Sequence, residues 1–204
     1  MMGDLPEIRP YNGAHTLFVH NKPFIALAGE IHNSSASNLE FMEKNVWPDL
    51  ENLNLNTVLV PIYWELIEKI EGVFDYSLLD GLIYQARRNQ KHLVLLWFGL
   101  WKNAESMYVP GWMKKDPARY FRSKTVNGET INAISPFCQA AVERDANALA
   151  HVMARIKEVD EFENSVIAIQ VENEIGLLGT DRDYSEAAEQ EFGKKVPVEI
   201  EKAF

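Results

Sequence analysis

Four apolar runs divide the chain, at residues 24–28, 57–63, 92–98 and 165–171, and a segment of helical spacing follows each one. Runs of this length, apolar at nearly every position, suit strands covered on both faces, as in parallel sheets. The first is entered through a hairpin. Residues 17–20 and 24–27 flank the turn Asn21-Lys22-Pro23, and the second arm is expected to become the buried strand. That strand ends at Gly29-Glu30-Ile31-His32, after which Ser37 and Glu40 have capping-box spacing and predict a helix to Asn54. Ser77 predicts a helix over 78–89, Ser135-Pro136 one reaching about residue 159, and a last helix is expected over 184–192. Residues 100–134 form a long connection with turns at Pro110-Gly111 and Asn127-Gly128. Loops that long in compact domains are usually functional.

The alternation of strand and helix implies right-handed crossovers and a parallel sheet, hence an α/β fold. Two architectures stay open at this point: a doubly wound open sheet, or part of an eight-stranded (β/α) barrel.

Composition acts mainly by exclusion. With 47% hydrophobic and 25% charged residues the chain is globular in type. Its net charge of −10 argues against nucleic acid or an anionic membrane as partner, since the long-range field repels both. Cys138 is the only cysteine, which rules out an internal disulfide framework and a thiolate metal site, and it reads as a small buried hydrophobe. No apolar run is long enough to span a bilayer. The start, Met1-Met2-Gly3-Asp4-Leu5-Pro6-Glu7, lacks the basic-then-apolar pattern of a secretory signal, so a soluble cytoplasmic protein is expected. Neither G-x-G-x-x-G nor G-x-x-x-x-G-K-[ST] occurs, and no cofactor is expected. Asp181-Arg182-Asp183 has the look of a metal-binding acid pair, but without a neighbouring acid or His cluster it reads as a helix-start loop, and no metal is expected.

The polar residues gather where the apolar runs end. Glu30 and His32 follow the first run, and Trp64, Glu65 and Glu68 the second. Trp101, Lys102, Asn103 and Glu105 follow the third, and Glu172, Asn173 and Glu174 the fourth. In parallel α/β folds the binding site lies at that edge. Carboxylates and amides exchange hydrogen bonds with hydroxyls, and indole faces cover the apolar faces of pyranose rings, so the edge fits a sugar. Glu65 and Glu68 read more simply as capping or solvated residues, and Trp97 and Trp112 as packing. For His32 a core hydrogen bond and a site role weigh equally.

Asn173-Glu174 directly after the fourth strand is where a family resemblance enters. The chain resembles the N-terminal half of a retaining glycoside hydrolase of clan A, and most nearly the beta-galactosidases of family 35. That family ends its fourth strand in Val-Glu-Asn-Glu, an aromatic residue and Gly; here Val171-Glu172-Asn173-Glu174-Ile175-Gly176 stands, with Ile for the aromatic. Gly29-Glu30-Ile31-His32 matches its first-strand signature, and Gly99 to Glu105 aligns with its third-strand loop, Asn103 standing where Cys is usual. Trp64, Glu68-Lys69 and Gly72-Val73-Phe74-Asp75-Tyr76 occupy the second-strand positions.

The resemblance implies a (β/α)8 barrel, of which residues 1–204 supply the first four βα units behind an N-terminal hairpin. It implies a galactoside or related carbohydrate as substrate, with Glu174 as general acid/base, held protonated by burial and by negative charge from Glu172. It implies Asn173 on the sugar 2-hydroxyl, Asn103 and Glu105 on other hydroxyls, and Glu30, His32, Trp64 and Trp101 lining the site. Retaining hydrolysis needs a second carboxylate about 5–5.5 Å from the first. In clan A that nucleophile ends the seventh strand, and no residue here matches it. The expectation is a truncated or split product carrying half a site, prone to self-association or awaiting a missing C-terminal half. The competing reading is a non-enzymatic, carbohydrate-binding or partner-assembled half barrel. A doubly wound hydrolase or nucleotide-binding protein, lacking both a phosphate loop and G-x-S-x-G, comes last.

Overall fold

The computed structural model describes residues 5–103 and 105–202. The chain opens with a small antiparallel sheet in which β1 (Glu7–Tyr11) pairs with β2 (Ala14–Val19), and β2 with β3 (Lys22–Pro23). The expected hairpin is there, and its turn uses His20 and Asn21 at positive φ. Its second arm does not become a buried strand. Ile25 and Leu27 are 77% and 55% exposed, because no strand lies beyond them among the described residues. A side chain stands in for the ladder: Asn56 Oδ1 accepts from Leu27 N at 2.8 Å, and Asn56 Nδ2 donates to Ile25 O at 2.9 Å.

Parallel pairing begins at β4 (Ala28–Glu30) and passes to β5 (Thr57–Tyr63), then β6 (His92–Lys102). The long connection after β6 holds a hairpin of β7 (Arg122–Lys124) and β8 (Thr130–Ile134), turning at the predicted Asn127-Gly128. β9 (Val166–Asn173) completes the parallel sheet, whose order is β4-β5-β6-β9. Neighbours in sequence are therefore neighbours in space, and the reversal of order that marks a doubly wound sheet is absent among the described residues.

The helices differ from expectation at their starts. Asn38, not Ser37, caps the first helical stretch by accepting from Phe41 N at 2.9 Å, while Ser37 Oγ donates back to Ser34 O. That stretch runs unevenly through Leu39–Phe41, a π turn at Met42–Val46, Trp47–Leu50 and a 3-10 turn at Glu51–Leu53. Helix α1 (Ser77–Arg88) is capped from outside by Asp75 Oδ1, which takes both Ser77 N and Ser77 Oγ. Helix α2 (Gln139–Asp160) starts later than Ser135-Pro136 implies, because Ser135 is tied elsewhere: its N donates to Phe121 O and its hydroxyl to Asp183 Oδ2. Helix α3 (Glu186–Phe192) is capped by Ser185. Asp183 is buried and takes Lys124 N, Ser135 Oγ, Ser185 N and Ser185 Oγ, which is the helix-start role expected of it.

The core fills the space between the sheet and the two long helices. Leu79, Leu82, Ile83 and Ala86 of α1 face it, as do Ala141, Ala148, Val152 and Ile156 of α2, and Cys138 is buried beside them. The amino-terminal end of the sheet is closed by one ion pair, Arg87 Nη2 to Asp160 Oδ1 at 2.5 Å. Asp160 also accepts from Ser165 N and Val166 N, and Arg87 Nε donates to Ser165 Oγ.

Candidate active site

At the carboxyl-terminal end of the sheet the β6–β9 register breaks. Trp97 faces Val171, yet the next pairing is Lys102 with Asn173, so five residues of β6 advance against two of β9. Such bulges re-aim side chains and recur beside active sites. Here the bulge turns two backbone amides toward acids: Leu100 N donates to Asp145 Oδ1 at 3.2 Å, and Trp101 N to Glu172 Oε2 at 2.7 Å. Gly99 is required in the middle of it. A Cβ there falls 2.1 Å from Trp97 Nε1 and 2.3 Å from Asp145 Oδ1, atoms that are themselves hydrogen-bonded at 2.9 Å.

Beyond the bulge the third and fourth strand ends meet. Asn103 N donates to Asn173 O at 3.1 Å, and Lys102 and Glu105 exchange backbone bonds of 3.0 Å each. The Lys102 side chain is buried; its ammonium donates to Asn103 Oδ1, lies 4.8 Å from the Phe98 ring centroid, and approaches Glu174 Oε2 to 3.7 Å. The structure thus gathers Asn103, Glu105, Asn173 and Glu174 at one place. Asn173 Oδ1 is buried and meets no donor among the described residues.

The surroundings foreseen for Glu174 need correction. Its side chain is 67% exposed and its charged neighbour is a cation. Glu172 supplies no charge to it, because the intervening turn is not extended: Glu172 and Glu174 both take positive φ, 61° and 51°. The Glu172 carboxyl goes instead toward Asp145 of α2, with which it lines one cavity, and its Oε1 is buried there without a donor among the described residues. Burial, followed by the neighbouring Asp145 carboxyl, pushes the Glu172 carboxyl up to about 9. Asp145 is raised too, chiefly by burial.

The two tryptophans expected to face sugar are buried. Trp64 is fully enclosed, Nε1 donating to Glu68 Oε2 at 2.7 Å, and its ring packs against Trp97 and Trp112. Glu68 is likewise no solvated residue: it is buried, takes Gly72 N on its other oxygen, and accepts from Trp112 Nε1 through its carbonyl. Glu65 pairs with Lys114 at 2.9 Å. Trp101 is buried along a cavity of about 530 Å³ that also touches Phe137, Asp145, Glu172 and Leu177. Trp97 and Trp112 pack as expected.

Glu30 and His32 are exposed and line a separate open cleft of about 840 Å³ with Asn33, Ser34, Asn38 and Phe41. No residue of the third or fourth loop lines it. Between the two regions Tyr63, Phe98 and Tyr108 form an aromatic cluster with centroids 5.0–5.9 Å apart, and burial beside Tyr108 holds the Tyr63 hydroxyl high. Among the described residues no group of three or more His, Cys, Asp or Glu is placed to hold a metal ion, and no helix is long and apolar enough to cross a membrane.

Sequence reasoning places Lys102 at this edge without a role and misses Asp145. Asp145 carried a signal: it sits at i+4 from Ala141 and three before Ala148, on the stripe that α2 buries. A carboxylate in such a stripe demands a partner.

The family model for glycosyl hydrolases family 35 matches residues 16–202. The chain belongs to that family. Two curated relatives carry the name beta-galactosidase-1-like protein 3. The one from Rattus norvegicus is 28% identical over 172 residues, covering 80% of this chain and 24% of its own length. The one from Mus musculus is 26% identical over 193 residues, covering 87% and 26%. The chain thus spans about a quarter of the curated relatives it matches. Among solved structures, the beta-galactosidase from Bacillus circulans sp. alkalophilus superposes with a TM-score of 0.63 at 17% identity, over 82% of this chain and 23% of that one. The likeness shows a shared α/β fold.

Proposed function

We propose that residues 1–204 form the N-terminal part of a (β/α)8 glycoside hydrolase domain, supplying the first four βα units and the proton-handling half of a retaining, beta-galactosidase-like site. The observation that carries this reading is the Asn173-Glu174 turn at the carboxyl-terminal end of the fourth parallel strand, docked on Asn103. Glu174 is the general acid/base: it protonates the leaving glycosidic oxygen, then deprotonates the water that hydrolyses the glycosyl-enzyme. Its exposure in this half of the site leaves the burial that an acid needs to the substrate and to barrel elements outside these residues. Asn173, at the start of this turn, takes a sugar hydroxyl, while Asn103 and Glu105 orient others. The nucleophile comes from outside these residues, since Glu172 is turned away to Asp145.

The test is to titrate the chain with a nitrophenyl galactoside and follow both binding and release of nitrophenol. Expected are saturable binding, weakened at least about tenfold by Asn173→Ala, and no turnover. Turnover abolished by Glu174→Gln overturns the claim that the nucleophile lies elsewhere, and absence of any sugar binding overturns the site. One observation favours the non-enzymatic reading, namely that Glu174 faces the Lys102 ammonium. Sugar binding indifferent to Glu174→Gln, with no turnover when the remainder of a barrel is supplied, decides for it.

A further inference from the structure

Asp145 and Glu172 form a second, half-buried carboxyl arrangement that hydrolysis itself does not use: both line one cavity, and Glu172 Oε1 is buried there without a donor among the described residues. Glu172 Oε2 accepts from Trp101 N, and Asp145 Oδ1 accepts from both Trp97 Nε1 and Leu100 N. Those three donors come from β6, Asp145 from α2 and Glu172 from the end of β9, so the two carboxyls join three elements at one point. No Lys, Arg or His pairs with either acid among the described residues. The charged groups that share their cavity are engaged elsewhere: Arg182 with Glu189, Asp183 with Ser135 and Ser185, and Asp181 with Tyr184. On β6, Lys102 is turned to Asn103 and Glu174. Two neighbouring carboxylates without a cation cannot both stay ionised.

We infer that Asp145 and Glu172 hold one proton between them and act as a clamp, fixing the Asn173-Glu174 turn against α2 and the β6 bulge. The proton sits as O–H on Glu172 and is donated to the Asp145 carboxylate, which keeps its bonds from Trp97 and Leu100. Lost to solvent, it leaves two facing carboxylates, and their repulsion acts directly on Glu172, whose left-handed backbone precedes Asn173 by one residue. Glu172 and Asp145 are thus positioning residues. The inference rests on the reading of Glu174 above only for what the turn does; the clamp itself is independent of any substrate.

The sign of the pH effect follows from burial. Glu172 retains its proton in the folded chain up to about 9, whereas the unfolded chain releases it near the ordinary carboxylate value of 4.5. Across that window the folded state binds more protons, so stability falls as pH rises from about 4.5 and levels off above about 9.

The experiment is a titration of the full chain, without sugar, following the 13C shifts of the Glu172 and Asp145 carboxyl carbons together with protection factors of the Trp101 and Asn103 amides. Expected is a late transition near pH 9 in the native chain, with protection of both amides falling at least about tenfold through it. Glu172→Gln donates the same bond as an amide and cannot ionise, so protection there stays level across the range. Asp145→Asn gives the same result from the other side, should the first variant fail to fold. Both carboxyls titrating below about pH 6 as independent groups overturns the shared proton, and a late transition that leaves Asn103 protected overturns the clamp. Because no substrate is present, either failure leaves the assignment of Glu174 standing, and loss of that assignment leaves the titration standing.

Discussion

The two ends of the parallel sheet are each closed by a carboxyl group, buried at Asp160 and half-buried at Glu172, and they are built on opposite plans. At the amino-terminal end Asp160 meets a guanidinium and two backbone amides, and Arg87 also reaches Val159 O and Ser165 Oγ. Every group there has an opposite. At the carboxyl-terminal end Glu172 meets another acid, a few residues from an exposed Glu174 and a buried lysine. In parallel α/β folds the carboxyl-terminal edge of the sheet is the one that carries chemistry. One strand, β9, touches both plans, Val166 N serving Asp160 and Glu172 lying six residues on, which shows how locally the division can be drawn.

Breaking the amino-terminal plan should have the largest effect on stability. Asp160→Ala strands a partly buried guanidinium and two amides, and is expected to cost about 3–5 kcal/mol, read from urea denaturation midpoints. A null result there would remove the contrast. Gly99→Ala comes next: it forces the Trp97 indole off Asp145 and is expected to cost roughly 1–3 kcal/mol, with the Trp97 indole proton shifting by NMR. Lys102→Met keeps the buried volume while removing the charge, so stability should move by less than about 1.5 kcal/mol. Faster backbone exchange at Asn103 and Glu174 is the expected readout of the lost side-chain bonds. Glu174→Gln is expected within about 0.5 kcal/mol of the parent, because its side chain is mostly solvated. A large destabilisation by Glu174→Gln would assign that residue to the framework and erase the difference between the two ends.

Much of this was legible in the chain, for identifiable reasons. β5 and the first part of β6 are buried on both faces, so their apolar runs announced them. Asn103, Asn173 and Glu174 were found because strand ends define where a parallel sheet binds. The short strands β1 and β7 escaped notice because Glu7–Tyr11 and Arg122–Lys124 carry no apolar run to announce them. Residues 24–28 misled in the opposite direction, being apolar yet exposed at every position but Phe24. The burial of Trp64 and Trp101 follows from tertiary packing on Glu68 and beside Asp145, which no local pattern encodes. Nor does the sequence reveal that five residues of β6 pass two of β9, and the whole Asp145–Glu172 arrangement depends on that slip.

Three residues around the turn, Asn103, Glu172 and Glu174, hold left-handed backbone angles that cost an ordinary residue roughly 1–2 kcal/mol and glycine nothing. The chain carries an amide and two carboxylates there, so its ground state is less relaxed than its own alphabet allows. Installing glycine at 174, where the side chain is mostly solvated, should raise the melting temperature of this domain, whereas glycine at 172 also strips Trp101 N of its acceptor and should not.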